Sequence, residues 1–92
     1  MKYYDWDELK NAILKAQRGI CFEDVIAAIN ENKVLDRSNH PNQAKYPNQK
    51  VLVFAKDNYA YMVPFVEDEE KIFFKTIIPS RKATKKYIKE RK

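Results

Sequence analysis

Apolar positions in this chain change their spacing near residue 32, and the change separates a helical part from a stranded part. Before it, Trp6, Leu9, Ala12, Ile13 and Ala16 recur every three or four residues, which is one face of a helix. Asp5 as cap, Glu8 three residues later and Tyr4 against Leu9 supply an N-terminal signature. Gly19, the only glycine, stands where a left-handed residue ends a helix, so the spacing predicts a helix over 5–18. Phe22, Val25, Ile26 and Ile29 repeat the pattern behind Glu23 and Asp24, whose charges suit a first turn. That second helix fades at Asn30-Glu31-Asn32. Two short amphipathic helices cannot bury their faces alone, so they are expected to lie on a sheet built from the remainder.

Beyond residue 32 the pattern becomes one of short strands and turns. Residues 34–36 read as a short strand before a long loop in which Pro-Asn-Gln occurs twice, at 41–43 and 47–49. Residues 51–55 and 59–66 read as a hairpin turning at Lys56-Asp57-Asn58. Alternation puts Tyr59, Tyr61, Val63 and Phe65 on one face, with Ala60, Met62 and Val66 on the other. Pro64 lacks a ladder donor, which requires a bulge there or pairing that stops before it. Glu67-Asp68-Glu69-Glu70 reads as a solvated acidic turn, its carboxylates lacking the spacing of a metal site. Residues 72–78, rich in β-branched and aromatic side chains, read as a buried strand that Pro79 stops. Ser80 then caps a basic helix. The expectation is one α+β domain over 1–92: two N-terminal helices on an antiparallel sheet of three to four strands, with a basic C-terminal helix.

Composition adds charge to this outline. A chain of 92 residues, 45% hydrophobic, can bury a modest core. Its net charge of +5 is unevenly placed: eight basic residues and one acidic residue follow from Lys75 onward, and the preceding part is slightly acidic. Such asymmetry suits a polyanion or an acidic protein partner. The single cysteine allows no internal disulfide or thiolate metal cluster, and no run approaches membrane-spanning length or a signal peptide. A cytoplasmic protein without a cofactor is therefore expected. Arg81 and Lys82 occupy a helix start, where the dipole disfavours cations, so an anion at Ser80, Arg81 and Lys82 would offset the conflict. Long side chains bending into water fit the same residues. Lys85, Lys86 and Tyr87 continue the basic segment, although Tyr87 with Ala83 also forms an apolar stripe for docking. In the loop, His40, Lys45 and Tyr46 can donate protons, hold phosphate or stack on a base, although a lone histidine beside a proline reads first as an exposed loop residue. No Gly-rich phosphate loop, zinc spacing or nucleophile elbow is present.

The opening Tyr4-Asp5-Trp6-Asp7-Glu8-Leu9-Lys10, the junction Gly19-Ile20-Cys21-Phe22-Glu23-Asp24 and the closing Lys75-Thr76-Ile77-Ile78-Pro79-Ser80-Arg81-Lys82-Ala83-Thr84-Lys85-Lys86 resemble the BrnT-like toxins of bacterial type II toxin–antitoxin modules. Those belong with the RelE-like ribonuclease toxins. The resemblance spans nearly the whole chain, and its most specific part is Ser-Arg-Lys-Ala-Thr. Cys21 departs from it, standing where the family has a small polar cap, and so does the loop from His40 to Gln49. The resemblance implies cleavage of RNA that halts translation, without a metal, and neutralisation by a small DNA-binding antitoxin, often of ribbon-helix-helix type. It implies attack of a ribose 2′-hydroxyl on the adjacent phosphate. In that chemistry Arg81 and Lys82 would stabilise transition-state charge, Lys45 would position phosphate, and His40 would serve as acid or base. Ser80, Tyr46, Lys85, Lys86 and Tyr87 would contact RNA. The rival reading from the residues is a non-catalytic module whose basic helix binds an acidic protein or nucleic acid.

Overall fold

In the computed structural model, which describes residues 2–40, 42 and 44–89, the order is β1 (Tyr3–Trp6), α1 (Glu8–Arg18), α2 (Phe22–Asn30), β2 (Val34–Asn39), β3 (Lys50–Lys56), β4 (Tyr59–Glu67), β5 (Lys71–Phe74), β6 (Ile78–Pro79) and α3 (Arg81–Thr84), which widens into a π-helical turn over Lys85–Lys89. Pro41 and Gln43 of the first Pro-Asn-Gln lie outside the described residues. The α+β class holds. The sheet is larger than expected and mixed: its order is β1-β5-β4-β3-β2, with β6 also paired to β4 and β1 running parallel to β5.

The additional edge strand comes from the segment expected to start the first helix. Tyr4 and Trp6 alternate inward and stack on Phe74, with centroids 5.5 and 6.3 Å away, and Trp6 also stacks on Phe22 at 5.7 Å. Stacked aromatics add roughly 0.5–1.5 kcal/mol each beyond their burial, which outweighs one more helical turn. The cap moves from Asp5 to Asp7, whose carboxylate accepts from the Leu9 and Lys10 amides. Gly19 ends α1 with φ 65°, as its position foretold.

The facing of α1 differs from expectation as well. Asn11 and Leu14 are buried, while Leu9, Ala12, Ile13 and Ala16 are exposed. Asn11 turns inward because it completes α2: its side-chain oxygen accepts from the Phe22 amide at 2.7 Å and its amide group donates to Glu23 at 2.9 Å. That satisfies one of the orphan donors every helix start leaves.

Both faces of the sheet are covered, at least in part. Leu14, Ile20, Phe22, Val25 and Ala28 pack with Leu52, Phe54, Val63, Phe65 and Phe74 on the first face. Val51, Val53 and Ala60 meet Ala83 on the second, with Met62, Tyr87 and Ile88 against them. The alternation expected for β4 is therefore observed. The hairpin turns at Asp57 and Asn58, both at positive φ, as a two-residue turn matched to strand twist requires.

Pro64 sits in an unbroken ladder to β3, opposite Val51. Its carbonyl accepts from the Lys75 amide, so its missing N–H would point to the same side, towards residues 75–77. There the chain leaves the ladder between β5 and β6. The expected continuous strand over 72–78 is divided at this point, and pairing is lost beside the one residue that cannot donate. Among the described residues no helix is long and apolar enough to cross a membrane.

Candidate functional site

The basic C-terminal element is held rigidly although its charges are exposed. The Ser80 amide donates to the Ala60 carbonyl, and the Ser80 hydroxyl accepts from the Ala83 amide, both at 3.0 Å. Thr84, 1% exposed, accepts from the Ala60 amide at 2.8 Å and donates to the Ser80 carbonyl at 2.7 Å. Sheet edge and helix are thus locked by one serine and one threonine. Tyr87 extends the lock, its hydroxyl donating to Asp36 on β2 at 2.8 Å while its ring packs on the second face. This docking role occupies the group named above as an RNA contact.

Arg81, Lys82, Lys85 and Lys86 project into solvent from that anchored element. Among the described residues none of the four takes part in an ion pair. No acidic residue occurs from Lys75 to Lys89. The Lys86 ammonium lies 5.1 Å from the Tyr87 ring centroid. A concentration of unpaired cations on a fixed scaffold lowers the potential energy of any polyanion that approaches it, because few compensating carboxylates must be displaced.

Lys75, the first cation of the basic ending, is exposed just past β5. Phe73 and Lys71 share its face by strand alternation, and the Lys71 and Lys75 ammonium groups lie 5.6 and 5.7 Å from the Phe73 ring centroid.

The second cation-bearing segment lies elsewhere. His40 pairs its amide with Gln49 at the open end of the β2–β3 ladder, and its Nδ1 accepts from the Asn42 amide at 3.0 Å. The His40 and Tyr46 rings are 4.5 Å apart, and the Lys45 ammonium lies 5.4 Å from the Tyr46 centroid. The three loop residues thus form one cluster. Lys50, which follows the loop, pairs with Phe65, whereas Ser80 pairs with Ala60. Five residues along β4 separate the two segments by about 17 Å. His40 and Lys45 are not brought beside Arg81 and Lys82.

Glu67 and Asp68 are engaged structurally. Glu67 faces Lys2 at 2.5 Å and Lys50 at 3.8 Å, and the Lys2 hydrogen bond is the main cause holding its carboxyl below the ordinary value. Asp68 accepts from the Glu70 and Lys71 amides, chiefly the Lys71 one, which lowers its pKa and folds the acidic turn. Among the described residues no three His, Cys, Asp or Glu side chains converge as metal ligands. A groove of about 500 Å³ lies between Tyr87, Ile88 and the hairpin turn, away from Arg81 and Lys82. Comparison of the chain with protein-family models, curated proteins and solved structures returned no match.

Proposed function

We propose that this chain is the toxin of a type II toxin–antitoxin module, an endoribonuclease of the BrnT-like kind that cleaves RNA in the cytoplasm and so arrests translation. The observation that carries the reading is the acid-free run of cations from Lys75 to Lys86, anchored to the sheet through Ser80 and Thr84. The resemblance of the same segment to that family supplies the reaction. Arg81 and Lys82 stabilise charge as a ribose 2′-hydroxyl attacks the neighbouring phosphate, a step that leaves a cyclic phosphate and a free 5′-hydroxyl. Lys75, Lys85 and Lys86 hold flanking phosphates, and the His40–Lys45–Tyr46 cluster contacts the strand further along. A small DNA-binding antitoxin neutralises the protein.

Separation of His40 and Lys45 from Arg81 favours keeping a second reading, a non-catalytic module whose basic element binds nucleic acid or an acidic protein. Induced expression in a bacterium lacking the neighbouring gene separates the two. The toxin reading expects growth arrest with fragmented RNA from the native chain and neither from Arg81→Ala. Normal growth with intact RNA would leave only the binding module.

A further inference from the structure

Helix α1 is apolar on two sides, and the core uses only one of them. Leu14 and Asn11 face inward. Leu9, Ala12, Ile13 and Ala16, at the i, i+3, i+4, i+7 spacing of a single stripe, face out, with Leu9 71% and Ile13 41% exposed. An isolated exposed leucine is ordinary, whereas a continuous stripe along a well-capped helix is the mark of an interface. At 100° per residue Lys10 borders one side of the stripe, and Lys15 and Glu8 border the other. Arg18 directs its guanidinium to the Ile77 carbonyl, and Glu23 on α2 holds Asn11 and senses Lys15. Neither Lys10 nor Lys15 takes part in an ion pair among the described residues.

We propose that this outward face of α1 docks an amphipathic helix of a partner protein, one whose own apolar stripe is bordered by carboxylates. The partner's apolar side chains cover Leu9 and Ile13, the two alanines let its backbone approach, and its acids meet Lys10 and Lys15. A second copy of this chain fits less well. Two cations and one acid border the stripe and would face their own kind, in a molecule of net charge +5. Four stripe residues also fall short of the roughly 800 Å² per partner that a stable interface buries, while another protein can continue over the adjoining surface. The inference stands whether or not the chain cleaves RNA, since α1 carries none of the residues assigned to that reaction.

The test uses the full chain, isotopically labelled, and two synthetic amphipathic helical peptides with the same leucine stripe, one bordered by glutamates and the other by lysines. Titration of the glutamate peptide is expected to shift the amide resonances of Glu8–Arg18. Leu9→Glu and Ile13→Glu should weaken its binding about tenfold or more at unchanged melting temperature. Ala12→Arg, at an exposed position, serves if either variant unfolds. The lysine peptide should bind about tenfold more weakly. Absence of binding, equal binding of the two peptides, or shifts confined to other elements would overturn the proposal. So would a concentration-dependent dimer in sedimentation that Leu9→Glu abolishes, which would assign the stripe to a second copy.

Discussion

Cys21 caps α2 with a thiol where a hydroxyl is the better group. Its amide and its Sγ both donate to the Asp24 carboxylate, at 3.0 and 3.4 Å. Burial, and then the neighbouring carboxylates, push the thiol pKa up, so Cys21 stays protonated and is a poor nucleophile. Cys21→Ser should stabilise the fold by about 0.5–1 kcal/mol in denaturant unfolding, because serine is a preferred cap and thiols bond weakly. A loss of stability would show that sulfur packing matters more than capping. Residue-level readings succeeded where one residue has one chemical reason to be in place: Gly19 at positive φ, Ser80 capping the last helix, Asp57 and Asn58 at the hairpin. They failed where two arrangements compete. Asp5 and Asp7 are both good caps, and only the stacking of Trp6 on Phe22 and Phe74, residues distant in sequence, decides between them.

The C-terminal element owes its position to buried hydrogen bonds more than to its own length. Four α-helical residues and a π-helical turn have little intrinsic helical stability, since nucleation is costly. Thr84 therefore carries much of the attachment. Thr84→Val, nearly isosteric, leaves the buried Ala60 amide without its acceptor and should cost about 1–3 kcal/mol. Unfolding measurements check this, and a near-neutral result would mean that apolar contacts at Ala83 hold the helix by themselves. The helices, the hairpin and the basic ending were legible because each is encoded by local periodicity and caps. The β5–β6 break was not, because it depends on Pro64 lying across the sheet from residues 75–77. Nor was the outward stripe of α1. Periodicity identifies an apolar face but not the direction it points, and here the polar Asn11 takes the inner position by capping α2.

At the scale of the molecule, charge is distributed in two ways. Around Glu67 it is balanced: the Lys2 hydrogen bond, and then the charges of Lys2 and Lys50, hold its carboxyl below the ordinary value. A depressed folded-state value contributes stability above the unfolded value, which is lost as pH falls through the folded one. The stability difference between the native chain and Glu67→Gln should therefore be constant near neutrality and shrink below about pH 4.5. A difference independent of pH in chemical denaturation would remove Glu67 from the acid response. Around Arg81 charge is unbalanced among the described residues. Cation placement on the C-terminal element was readable from the sequence, whereas the distance of His40 and Lys45 from Arg81 emerged only with strand order and register. The decisive measurement is cleavage of a defined RNA by the purified chain in the presence of a metal chelator, with analysis of the product ends. A ribonuclease of this kind yields fragments ending in cyclic phosphate, formed about a hundredfold more slowly by Arg81→Ala and Lys82→Ala. Intact RNA with the native chain, or equal cleavage by the variants, would contradict that reading.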